Sequence, residues 1–169
     1  FVCDDSACER VTGSQPTTTY IAQVADIGKS LEGRVIASAG TKTGEATSAR
    51  LPIVDTNKVS QEECGSYVDV VWTADVIHDV TCRISVYGSL AVEPGTIVRV
   101  GCEGGFEVVD QMHLSGAVLT RRDDPEFMAP SGPDDCSDEI ASEDYGRTII
   151  RQRTSKVMIE NSYVQGAVI

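Results

Sequence analysis

From Tyr67 to Arg122 apolar and polar residues alternate, and turn signals interrupt the alternation at short intervals. Side chains of a strand point to its two faces in turn, so a period of two means a ribbon with one apolar face. Val68, Val70, Trp72, Ala74 and Val76 share a face of the first run, with Asp69, Thr73 and Asp75 on the other. From Asp79 to Tyr87 the apolar set is Val80, Cys82, Ile84 and Val86. Gly88-Ser89 ends that run, and Glu93-Pro94-Gly95-Thr96 is a turn in which Pro fixes φ and Gly accepts positive φ. Val98, Val100 and Cys102 then share a face. Gly104-Gly105 turns the chain into a run from Phe106 to Val109, and Leu114 to Thr120 is the last clear strand.

Strict alternation leaves one face wet, the habit of antiparallel sheets, whereas parallel α/β strands are covered on both sides. Short strands at close spacing therefore predict an all-β chain, folded as an antiparallel sandwich or small barrel with extended N- and C-terminal arms. No internal repeat is visible by eye. The expected organisation is an extended arm over 1–19, followed by a single β domain over 20–169. Within the domain, Tyr20 to Leu31 and Arg34 to Ala39 are read as strands, Gly40 to Ala49 as an exposed loop, and Thr56 to Ser66 as a loop carrying Cys64. Arg50 to Asp55 is read as an edge strand, because Pro52 has no amide to give a central ladder. Residues 123–146 form an acidic loop, and 147–169 carry the C-terminal strands.

A net charge of −12, from 26 acids against 14 Lys and Arg, excludes the usual electrostatics of nucleic-acid binding, in which cations displace phosphate counterions. It equally disfavours an anionic membrane surface, and no apolar run reaches the roughly 18–20 residues that span a bilayer. Neither a nucleic-acid partner nor membrane insertion is expected. Phe1 in place of Met points to endoproteolytic maturation or to an incompletely known start.

Six cysteines (Cys3, Cys8, Cys64, Cys82, Cys102 and Cys136) make an even set, which fits a disulfide framework and an oxidising compartment. Cys3 and Cys8 would tie down the N-terminal arm. Cys82 and Cys102, on apolar faces of neighbouring predicted strands, are placed to bridge the core or to stay there as buried thiols. A structural zinc site normally shows two close Cys pairs, and only the Cys3/Cys8 spacing is present. From Asp123 to Asp144 there are nine acids and no Lys or Arg. Asp134, Asp135, Asp138 and Glu139 are the calcium candidates there, although the alternating spacing of an EF-hand loop is absent. A solvated acidic loop is the plainer reading, and no cofactor is expected.

No catalytic constellation assembles. Nucleophile-elbow, phosphate-loop and dinucleotide motifs are missing. His78 and Cys82 lie on one strand about 13 Å apart, from a rise of roughly 3.3 Å per residue, too far to share a metal. His113 stands at a strand start, and both histidines read as ordinary surface or edge residues. The expectation is a non-enzymatic structural protein, extracellular or part of a virion, that assembles with copies of itself or with another structural protein. A capsid, tail or decoration component or a filament subunit would fit. Arg147, Arg151 and Arg153 on a locally basic strand, with Tyr163, Val168 and Ile169 at the apolar end, are the assembly candidates. The alternatives are a secreted β-sandwich module binding carbohydrate, calcium or a protein, and a hydrolase whose site is assembled by folding.

Overall fold

A computed structural model describes residues 1–4, 7–11, 22–122, 124, 127, 148–152, 156–165 and 167–168. The expected all-β character holds. The N-terminal strands are β1 (Val2–Cys3), β2 (Cys8–Glu9), β3 (Ser30–Leu31), β4 (Arg34–Ala39), β5 (Lys42–Thr47) and β6 (Leu51–Pro52). They are followed by β7 (Ser60–Tyr67), β8 (Val70–Trp72), β9 (Ile77–Val86), β10 (Ser89–Val92), β11 (Ile97–Val100), β12 (Gly105–Val108), β13 (Gln111–Ser115) and β14 (Val118–Arg121). After the acidic stretch come β15 (Thr148–Gln152), β16 (Lys156–Glu160), β17 (Tyr163–Val164) and β18 (Ala167–Val168).

From β7 onward every strand pairing is parallel, which corrects the antiparallel expectation. Three ladders run side by side. In the first, Ser60, Ile77, Ile97, Val118 and Tyr163 lie in register. In the second, Tyr67, Val86, Val108 and Gln152 do so. In the third, Trp72, Val92, Leu114 and Ile159 do so. A chain that visits the same three ladders in each turn, always in the same direction, is a parallel β-solenoid. One turn takes about 20 residues, the step from Val70 to Leu90 to Met112. The next step, from Met112 to Val157, is longer because 123–147 is inserted between β14 and β15.

The core is built of like on like. Val80 stacks on Val100, Ile84 on Phe106, Val86 on Val108, and Leu90 on Met112, all nearly inaccessible to solvent. Alternation could not separate this arrangement from an antiparallel one. A coil that wraps its own core also has one face in and one face out, so each strand carries the same period of two. The predicted long run from Val68 to Ile77 is instead β8 and a turn, since the coil changes direction there. Trp72 points inward, as expected.

The outward face of the first ladder is also dry. Ile77, Ile97 and Val118 are buried beneath Val54, Phe127 and Tyr163. Ahead of the solenoid, β2, β1, β3 and β6 form a small antiparallel sheet, with β6 at its edge as Pro52 requires. Val2–Cys3 and Cys8–Glu9 are therefore part of a sheet. The predicted strand from Tyr20 to Leu31 contains a short helical turn at Val24–Asp26, and among its described residues only Ser30–Leu31 form a strand. The next turn packs closely on a solenoid corner: a Cβ on Gly95, at φ +82°, would lie 3.1 Å from the Gly28 nitrogen.

The expected loop from Gly40 to Ala49 contains β5, which pairs with β4 in a hairpin whose strand residues are all exposed. The expected loop from Thr56 to Ser66 contains β7, the first rung of the solenoid.

Cys3 pairs with Cys8, and Cys64 with Cys82. The second bond links β7 to β9, so Cys82 does not bridge to Cys102; its side chain stands on the outer surface rather than in the core. Closing that loop contributes about 3 kcal/mol on a chain-entropy estimate. Cys102 is disulfide-bonded as well, and Cys136 lies outside the described residues. Disulfides of this kind are at home in oxidising compartments. Among the described residues no helix is long and apolar enough to cross a membrane.

Candidate functional site

Among the described residues of the solenoid, buried polar side chains cluster at two places, apart from the lone Thr96. The first is its opening rung. β7 and β9 bring Gln61 opposite His78 and Glu63 opposite Val80, so the side chains of Gln61 and Glu63 sit at the end of the hydrophobic core. The Glu63 carboxylate is 3% exposed as a residue and accepts three hydrogen bonds. Gln61 Nε2 donates at 2.9 Å, Tyr67 Oη at 2.7 Å, and His78 Nδ1 lies 2.8 Å from Oε1. His78 Nε2 stands 3.2 Å from the Thr73 carbonyl oxygen. Both ring nitrogens therefore face oxygen atoms, and the tautomer decides which of them donates. Trp72 stacks on the imidazole, with ring centroids 4.8 Å apart and planes 13° from parallel.

His78 is thus a buried residue and not the surface or edge histidine expected. Both of its ring nitrogens are engaged within this network. The network closes the end of the apolar core with satisfied polar groups, the role of a capping repeat in a solenoid. Burial pushes the Tyr67 hydroxyl above its ordinary range, helped by its hydrogen bond to Glu63 and by the Glu63 charge. Because the folded value is raised, this stabilisation is complete below about pH 10 and is lost as pH rises through the folded value. A spectrophotometric titration of the five tyrosines should show one ionising late, and Tyr67→Phe should remove that component. An unchanged titration curve in Tyr67→Phe would disprove the assignment.

The second buried polar group lies on the outer face of the first ladder. Asp79 and Arg99 are register neighbours on β9 and β11. Arg99 Nε donates to Asp79 Oδ1 at 2.6 Å and Nη2 to Oδ2 at 2.8 Å, a bidentate pair. Nη2 also donates to Ser60 Oγ at 2.6 Å, and Nη1 to the Phe127 carbonyl at 3.2 Å. Beside it, Thr120 Oγ1 donates to Asp124 Oδ2 at 2.5 Å. The arginine pins Phe127 and Ser60, at the start of β7, to the ladder, which is a structural task.

Cys3, Cys8 and Glu32 place three potential ligand atoms within 4.8 Å of one another. The two sulfurs are joined in a disulfide, so neither is a thiolate for zinc. His113 Nε2 is 3.5 Å from Glu160 at a half-exposed position on β13. The calcium candidates Asp134, Asp135, Asp138 and Glu139 lie outside the described residues, as do Arg147, Arg153 and Ile169. Arg151 and Val168 are placed by register alone, on β15 and β18. Tyr163 is on β17, where its ring packs on Phe127 with centroids 5.9 Å apart. The assembly candidates described so far therefore lie within the solenoid's own ladders.

Sequence reasoning missed Gln61, Glu63 and Tyr67 as a group. Their alternation, one residue apart in Gln61 and Glu63, was a strand signal, but a polar inward face reads as a loop.

The fold defines a parallel β-solenoid with a polar plug at its first rung and a projecting hairpin before it. No protein-family model matches this chain, and no curated protein or solved structure matches it.

Proposed function

We propose that the chain is a non-enzymatic structural protein, extracellular or virion-borne, that works by assembling with copies of itself or with another structural protein. The observation that carries this reading is the β4–β5 hairpin. All its strand residues are exposed, including Val35 at 68% and Ile36 at 63%. A lone two-stranded hairpin is at best marginally stable in water, and large apolar side chains held out on one gain from being covered. The engaged ring of His78 supports a structural role over catalysis. The buried position of Trp72 removes the sole tryptophan from the surface that a sugar-binding module would use.

Stacking through the first rung is disfavoured. β7 pairs with β9 on one side, and no strand pairs with its other side among the described residues. That edge is blunted by Glu62, by a register shift between Glu63 and Gly65, and by the Cys64–Cys82 bond. Assembly through that first rung is therefore not expected. Light scattering and negative-stain imaging of the native chain, with and without reductant, test the reading. Oligomers or larger particles are expected, and a species of 18.1 kDa under all conditions would overturn it.

A further inference from the structure

The register of the hairpin sorts its side chains into two unlike faces. Val35 lies opposite Ala46, Ala37 opposite Gly44, and Ala39 opposite Lys42. Directly opposed residues share a face, so this face is small and apolar with a lysine at its tip. Arg34, Ile36 and Ser38 oppose Thr47, Glu45 and Thr43 on the other face. The hairpin's base is tied down, with Arg34 Nε 3.1 Å from Glu45 and its Nη2 3.3 Å from Glu32. The Arg34 guanidinium beside Glu32 holds that carboxyl below its ordinary value, with Arg50 adding to the effect. The small face, by contrast, lies open.

The solenoid offers a surface of opposite shape. At the corner between the second and third ladders, the residues that follow the register positions of Tyr67, Val86 and Val108 stand one above another. They are Val68, Tyr87 and Val109, exposed at 71%, 62% and 38%. Successive rungs are about 4.8 Å apart, so the three form a continuous apolar ridge. The next position inward holds the corner tight. A Cβ on Gly88, at φ +149°, would fall 2.3 Å from Asp69 Oδ1, and that oxygen accepts from Ser89 N at 2.9 Å. Asp69 and Asp110, both exposed, flank the ridge with carboxylates.

We propose that the small face of the β4–β5 hairpin docks on the Val68–Tyr87–Val109 ridge of a second copy, in a reciprocal two-fold pair. This rests on the assembly reading and names its surface. Shape favours it: Ala37 and Gly44 form a flat floor that admits a projecting tyrosine. Charge favours it too. Two copies of net charge −12 repel, and the contact sets Lys42 against Asp69 and Asp110. Size favours reciprocity, since a stable interface uses roughly 20–30 residues a side. One hairpin of two six-residue strands falls short. A copy that both gives its hairpin and receives its partner's doubles the contact, and a two-fold axis makes the two contacts identical.

The test is sedimentation equilibrium of the disulfide-intact full chain over a micromolar concentration series at low and high salt. A concentration-dependent dimer is expected, strongest at high salt, where the repulsion between two copies of net charge −12 is screened. Ala37→Glu and Tyr87→Glu, both at exposed positions, should each weaken dimerisation at least tenfold while circular dichroism and melting stay unchanged. Lys42→Glu should also weaken it, and adding Asp110→Lys should restore it, which separates a specific contact from a folding defect. An oligomer of wild-type strength in Ala37→Glu, Tyr87→Glu and Lys42→Glu would overturn this inference and leave assembly standing. A monomer throughout would overturn both. A monomer that binds a different protein or a glycan on the ridge would do so as well.

Discussion

Asp79→Ala is expected to cost about 3–5 kcal/mol of stability, the loss seen when one partner of a buried ion pair is removed. The reason is what remains. Arg99 is 1% exposed, and without Asp79 its guanidinium keeps only Ser60 Oγ and the Phe127 carbonyl. A desolvated cation with no counter-ion is far worse than a desolvated pair. Replacing both members together, Asp79→Leu with Arg99→Met, should therefore cost much less than Asp79→Ala alone, since paired apolar substitutes remove the desolvation penalty along with the attraction. Urea denaturation followed by circular dichroism measures both. A midpoint for Asp79→Ala within error of wild type would show that water reaches Arg99 in solution. Solenoids unfold by neighbouring repeats, so the loss should be concentrated in the rungs that β9 and β11 join.

Trp72→Ala is expected to be as damaging, about 3–5 kcal/mol, the usual cost of emptying an aromatic site in a core. Trp72 is 3% exposed and stands in register with Val92 and, one turn on, Leu114. Its ring also stacks on His78 and lies 5.9 Å from Phe106. Removing it opens the apolar core to the polar plug of Glu63, Gln61, Tyr67 and His78. Trp72→Phe keeps a ring against the imidazole and should recover most of the loss. Trp72 is the sole tryptophan, so wild-type fluorescence reports on this end of the solenoid directly, and the variants are compared by hydrogen exchange of β7 and β9. Exchange unchanged in Trp72→Ala would mean that the plug holds the rung without its aromatic neighbour.

Both variants act on residues that the sequence showed only in part. Trp72 was legible as an inward residue because alternation alone fixes its face. Asp79 and Arg99 were legible as outward residues, but outward normally means wet. Their burial follows from cover supplied by Val54 and by Phe127, the latter on the far side of β14. Nothing local to Asp79 announces that contact. His78 shows the same limit in reverse. Its strand was predicted, yet its carboxylate partner sits on β7, where the buried Glu63 lies among exposed polar residues and the run reads as loop. Polar residues are tolerated there only because each donor of the network finds an acceptor.

Local order along the chain is enough for the all-β character, the turns at Gly88-Ser89 and Pro94-Gly95, the edge position of β6, and the inward set Val80, Ile84, Val86, Val98 and Val100. Each follows from a local rule: side-chain alternation, a glycine that accepts positive φ, or a proline without an amide. Tertiary structure alone decided that the strands run parallel, that they repeat every turn of about 20 residues, and that Cys64 rather than Cys102 meets Cys82. The stacks ask only for apolar volume, so Val70, Leu90, Met112 and Val157 serve equally at one ladder position. The inserted acidic stretch then breaks what period there is. Strand direction belongs to neither strand alone, because it depends on where the chain travels between them.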